Sequence, residues 1–197
     1  NFVHSEPEQT RTEADEAVRT LEWEDIYCVD ADHINLTNVD RFIDHADFFT
    51  LDVAMYIGKE PDPADVEEFM ELSLIFGDSI EIPGIEEPVD ITEELLQKMA
   101  GKYLAAVKEA GKIYRHIVSK KGVGNFVTEV SMDEVEVPQT PVDMLFILKM
   151  IADEKITVET IAPEVTGRFN QGVDYVGDVR QFALEFEQDV LVIDYAI

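Results

Sequence analysis

Asp30, Asp32 and His33 fall within four residues, directly after the apolar run Ile26-Tyr27-Cys28-Val29. In an extended chain Asp30 and Asp32 share one side, with His33 where strand gives way to loop. Carboxylate and imidazole together are suitable direct donors for Mn²⁺, Fe²⁺, Co²⁺, Ni²⁺ or Zn²⁺. The plainer alternative is that Asp30 caps a neighbouring helix and His33 hydrogen-bonds a backbone carbonyl. Asp52 stands near the end of a second apolar run, Phe48 to Ala54. Glu129 and Glu134 flank Val130-Ser131-Met132-Asp133, and either suits a metal ligand or a general base. Alternation does not decide which of the two points inward, and in so acidic a chain both could belong to a solvated face. Arg168 is one of only 15 basic residues and lies in the Gly-flanked polar loop Thr166 to Tyr175. Its guanidinium could fork onto a substrate carboxylate, with Asn170 and Asp174 as companions, or form a structural ion pair. His4, His45 and His116 have no comparable setting, and His116 falls inside a helical stretch as a structural residue.

The bulk composition limits what such groups can act on. Against those 15 cationic residues stand 43 Asp and Glu, a formal charge of −28. That field repels phosphate backbones and anionic headgroups, so nucleic acid and membrane surfaces are excluded as partners. At 46% hydrophobic residues and 197 in length, the chain can bury the core of one domain. A single cysteine, Cys28, rules out an intrachain disulfide, fits a reducing cytoplasmic setting, and is expected to be a buried structural thiol. No run approaches the roughly 18 apolar residues of a membrane span. The calcium-loop spacing of an EF-hand is also missing.

Periodicity supplies the elements that must position these groups. Helices are expected over Glu8 to Trp23, Ala64 to Leu74 after Pro63, Ile91 to Val118, Pro141 to Ala152 and Arg180 to Tyr195. Short near-continuous apolar runs at Ile26 to Ala31, Phe48 to Ala54, Phe126 to Val130 and Val158 to Ala162 read as buried parallel strands. Thr37 to Asp44 allows one or two helical turns, and Gly77 to Asp90 reads as loop. Alternating strands and helices imply βαβ crossovers. With no Gly-x-Gly-x-x-Gly and no phosphate loop, the open nucleotide-binding sheet loses its support, and half of an eight-stranded βα-barrel is expected. The chain opens at Asn1 without Met and closes at Ile197 inside a helical run. We therefore expect a single incomplete barrel domain over 1–197, a fragment of a longer chain, with a helical insertion at about 59–93. In such barrels the working residues sit at the carboxyl ends of the strands.

The stretches Val29 to Leu36, Asp47 to Ala54, Ser131 to Glu134, Ile161 to Pro163, Thr166 to Phe169 and Gly172 to Asp178, in this order, resemble the tagaturonate epimerase family. The resemblance runs along nearly the whole chain, although the family's His-Ser-Gly-Ser-Asp-Lys type segment is absent. It implies a TIM-type barrel fold and a divalent-metal-dependent isomerase interconverting the ketouronates tagaturonate and fructuronate. In that reading Asp32, His33 and Glu134 contact the metal, with Asp30 orienting His33. Glu129, Glu134 and Asp52 do the acid–base work, and Arg168, Asn170 and Asp174 hold the substrate. The inverted carbon is β to the ketone, so its hydrogen is not acidified and simple proton removal cannot invert it. Without a dinucleotide fingerprint, retro-aldol cleavage and re-addition is the favoured route. The rivals are a class II-like sugar aldolase, a ketose isomerase, and a non-catalytic domain binding cations or a protein.

Overall fold

The computed structural model describes residues 5–196 apart from Glu134, Glu136 and Gln171. The first helix, α1 (Pro7–Thr20), buries none of its own residues. It is tied down by Arg11, whose guanidinium donates to Asp47 at 2.6 Å. The other oxygen of Asp47 accepts the Val29 N–H at 2.6 Å. This clamp fixes the approach to the first strand, β1 (Asp30–Ile34), which starts later than the apolar run suggested. Ile26 is 92% exposed and Cys28 is exposed as well. The expected buried thiol is therefore wrong. Residue pairing starts with Asp30 opposite Phe48, the carbonyl of buried Val29 already accepting the Asp47 and Phe48 N–H groups, so Ile26 to Cys28 cross the surface as a connection.

After one 3-10 turn at Val39–Arg41 come β2 (Phe48–Asp52) and a helix α2 (Pro63–Ser73), N-capped by Asp62. The stretch expected as loop contains a small antiparallel hairpin, β3 (Ser79–Ile80) with β4 (Val89–Asp90). Two-residue strands carry too little periodicity to be read from sequence. The long helix is α3 (Glu93–Met99) continuing through a π-helical turn at Ala100–Leu104 into α4 (Ala105–Lys121). The carbonyl of Lys102, within that wide turn, accepts the N–H of Gly58 in the loop beyond β2, at 2.8 Å. Then follow β5 (Val127–Met132), α5 (Pro141–Asp153) with a Thr140/Asp143 capping box, β6 (Thr160–Pro163) and α6 (Val179–Ala196).

β1, β2, β5 and β6 form one parallel sheet in the order β1-β2-β5-β6. Spatial order follows chain order, with no reversal of the kind that defines a doubly wound sheet. Ala31, Ile34, Phe49, Leu51, Val130 and Met132 are buried together with Tyr103, Ile113, Ile117, Phe146 and Met150 of the helices. The Ile, Leu, Val, Phe and Met side chains among them each contribute roughly 1.5–3 kcal/mol by leaving water. Phe49 meets Phe126 edge-on, their ring centres 5.7 Å apart. Because strand side chains alternate, Asp30, Thr50, Asp52, Glu129 and Ser131 share the opposite, polar face. Among the described residues no helix is long and apolar enough to cross a membrane.

Candidate functional site

The polar face carries Asp30 at the amino end of β1, Thr50 and Glu129 in mid-strand, and Asp32, His33, Asp52 and Asp133 toward the carboxyl ends of β1, β2 and β5. Between Ala31 and Ile34 the register against β2 shifts, a bulge in the ladder. Within it His33 takes a left-handed backbone, φ 55°, uncommon for any residue but glycine. The kink re-aims Asp32 and His33 away from a regular strand's directions. His33 Nδ1 lies 2.6 Å from Asp32 Oδ1. Asp32, and not Asp30 as the resemblance suggested, therefore orients the ring, because the bulge turns the adjacent carboxylate onto it. Burial favours the neutral imidazole, but the Asp32 hydrogen bond and the charges of Asp32, Asp133 and Asp52 outweigh it and raise the His33 pKa.

Asp30 turns the other way, toward β2. Its two carboxylate oxygens each lie 3.4 Å from the Thr50 hydroxyl, which is also 3.3 Å from Glu129 Oε1. The pairing Thr50↔Glu129 across β2 and β5 sets this line of three. Loss of hydration, then the charge of Asp32, pushes the Asp30 carboxyl up to about 6, against the pull of the Thr50 hydrogen bond. Asp52 lies opposite Ser131 and accepts the Ala54 N–H at 3.3 Å. Ser131 donates to Asp133 at 2.6 Å.

Beside β6 a cleft of about 270 Å³ is lined by Asp133, Glu164, Arg168, Phe169 and Asn170, among others. Among the described residues the Arg168 guanidinium has no carboxylate partner, as is also true of Arg19, Lys59, Lys98, Lys155 and Arg180. Its backbone is fixed by paired hydrogen bonds with Val176, 2.9 and 3.2 Å. Thr166 is gripped by Glu185 of α6 through its N–H at 2.7 Å and its hydroxyl at 2.6 Å. Buried Gln139 joins the two strand ends: its Nε2 donates to the Met132 carbonyl at 3.3 Å and its Oε1 accepts the Glu164 N–H at 2.5 Å. Asp174 is exposed and does not line the cleft. Glu134 lies outside the described residues. His116 is structural, bonded to Asp40 at 2.6 Å.

Sequence reasoning missed Thr50, Ser131 and Gln139. Thr50 was legible in principle, being two residues before Asp52 on the same side of a strand. The donor chemistry of Asp32 and His33 suits a divalent cation, and the bulge sets the two side by side. Among the described residues, however, no three His, Cys, Asp or Glu side chains are grouped to hold one.

Parallel strands with catalytic-type side chains at their carboxyl ends define an α/β enzyme-type fold and site. The profile of the tagaturonate epimerase family (UxaE) matches residues 6–196, and the chain belongs to that family. A curated relative, the tagaturonate/fructuronate epimerase of Thermotoga maritima, is 28% identical over 101 residues, 51% of this chain and 21% of that protein. Crystal structures of the fructuronate-tagaturonate epimerase UxaE from Cohnella laeviribosi share the fold. The glycerol-bound form superposes with a TM-score of 0.73 at 20% identity, covering 93% of this chain and 40% of that one. The native form gives 0.69 over the same shares. The chain thus spans about two fifths of the length of these solved relatives.

Proposed function

We propose that this chain provides part of the active site of a cytoplasmic, metal-dependent epimerase interconverting D-tagaturonate and D-fructuronate, built on a (β/α)8 barrel. Family membership supports the substrate pair, and a parallel sheet whose order follows the chain supports the barrel. The observation that carries the reading is the place of Asp133. It lines the cleft holding Arg168 and Asn170, and it accepts the hydroxyl of Ser131, which pairs with Asp52 across the sheet. That link supports one space shared by the Arg168 cleft and the acidic cluster.

Asp32 and His33, with Glu134, would hold the cation, which supplies Lewis-acid polarisation of the ketone. Arg168 takes the uronate carboxylate in a two-pronged grip, with Asn170 beside it and Asp174 farther along the loop. Glu129 accepts the proton of the hydroxyl on the carbon to be inverted, with Asp52 and Glu134 as the further acid–base groups. As that proton leaves, the hydroxyl becomes an aldehyde. The carbon–carbon bond to the α carbon breaks, and its electrons pass to the ketone as an enolate. Rotation of the aldehyde, re-formation of the bond and return of the proton give the epimer. The grip of Arg168 keeps the fragment in place meanwhile.

Incubating the whole protein and a divalent cation with tagaturonate tests the reading. Fructuronate is expected. Lasting three-carbon products would make the protein an aldolase, an aldose product would make it an isomerase, and no turnover with Mn²⁺, Co²⁺ or Ni²⁺ would make it a binding domain.

A further inference from the structure

We propose that Thr50 is a positioning residue of the reaction, its hydroxyl holding the Glu129 carboxylate at the point from which Glu129 exchanges a proton with substrate. The inference rests on the acid–base role given to Glu129 above. Thr50 is 3% exposed, on the strand between those carrying Asp30 and Glu129. Its Oγ1 lies 3.3 Å from Glu129 Oε1 and 3.4 Å from each Asp30 oxygen. One hydroxyl proton thus faces three acceptor oxygens on two carboxylates that repel each other. Among the described residues Thr50 is the only side-chain donor to Glu129.

Residue type matters here. A β-branched side chain on a strand has few χ1 options, so the backbone register fixes where the hydroxyl sits. The shared proton bridges the carboxylates and restrains Glu129 without saturating it, which leaves its second oxygen to meet a substrate hydroxyl. With the hydroxyl gone, Glu129 has no side-chain anchor among the described residues, and repulsion from Asp30 turns it away.

The test compares Thr50→Val, which keeps shape and removes the hydroxyl, with Thr50→Ser, which keeps the hydroxyl, in the whole metal-loaded protein. Thr50→Val is expected to lower kcat about 10- to 100-fold, the scale of one hydrogen bond to a charged group, with KM within about twofold. Thr50→Ser is expected to restore kcat to within about threefold of the parent. A crystal structure of Thr50→Val is expected to find the Glu129 carboxylate displaced from its place beside Asp30. Should the valine variant fail to fold, Thr50→Ala is read in the same two ways. An unmoved Glu129, or equal loss in the serine and valine variants, overturns the proposal. A parent protein inactive on tagaturonate would refute the epimerase reading alone, and the crystallographic comparison would still decide whether Thr50 positions Glu129.

Discussion

Asp32 Oδ1 stands 2.6 Å from His33 Nδ1 across a bulge that no other strand of the sheet repeats among the described residues. A carboxylate on Nδ1 fixes the ring's tautomer and orientation, the arrangement by which proteins prepare the other ring nitrogen for a metal. In the proposed site Asp32 acts twice, orienting the ring through Oδ1 and meeting the cation through Oδ2, where an asparagine oxygen could still serve, so the two residues should differ in their effect on metal content. His33→Ala is expected to strip the whole protein of bound divalent metal. Asp32→Asn should weaken affinity about 10- to 100-fold, measured by metal titration and elemental analysis. Full metal content in both variants would remove the pair from the metal site.

Arg168 should report on substrate binding. Arg168→Ala is expected to raise KM for tagaturonate about 10- to 100-fold, the scale of a lost charge-assisted hydrogen bond. Arg168→Lys keeps the charge but loses the fork, and should recover only part of the difference. Steady-state kinetics at fixed metal concentration decide. An unchanged KM in both variants would assign the guanidinium elsewhere.

Gln139 ties the exit of β5 to the loop after β6 through its side-chain amide. Gln139→Leu leaves the Glu164 N–H and the Met132 carbonyl without this partner, and should destabilise the protein by about 1–3 kcal/mol. Urea unfolding measures it. Stability equal to the parent would mean water replaces the amide without penalty.

Asp189 on α6 is 7% exposed, and burial, then the charge of Glu185, raises its pKa from 3.8 to about 6. Between those values the folded state holds a proton that the unfolded state releases. Its contribution to stability is thus greatest in acid and falls as pH rises through about 6. Asp189→Asn removes this dependence. The variant should be more stable than the parent at pH 8, by on the order of 3 kcal/mol, and differ little at pH 3, below both values. Thermal melts at the two pH values check it, and equal gains at both would refute the titration account.

Much of the fold was legible because its signals are local and strong. Pro63 and Pro141 open α2 and α5 at their first positions, and the apolar runs beginning at Phe48 and Phe126 became the adjacent parallel strands β2 and β5. The run at Ile26 misled, since apolar residues in a connection look the same as those in a strand until pairing partners are known. At the candidate site, type and spacing drew attention to Asp32 and His33, which the structure sets side by side. That Asp32 rather than Asp30 turns onto the ring depends on a bulge and a positive φ, which spacing cannot encode. Alternation alone could not choose between Glu129 and Glu134. The hydrogen bond to Thr50 places Glu129 on the polar face, and Glu134 lies outside the described residues. Gln139 gave no signal at all, because its value lies in two backbone groups that come together only in three dimensions.

The wide turn at Ala100–Leu104 gives the rear of the molecule a say in the front. Gly58, six residues past Asp52, hangs its N–H on the Lys102 carbonyl. The winding of a helix behind the sheet thereby dictates where the chain leaving β2 can travel. A change in that helix's winding would therefore be felt in the loop beyond β2, although none of its residues lies on the polar face of the sheet.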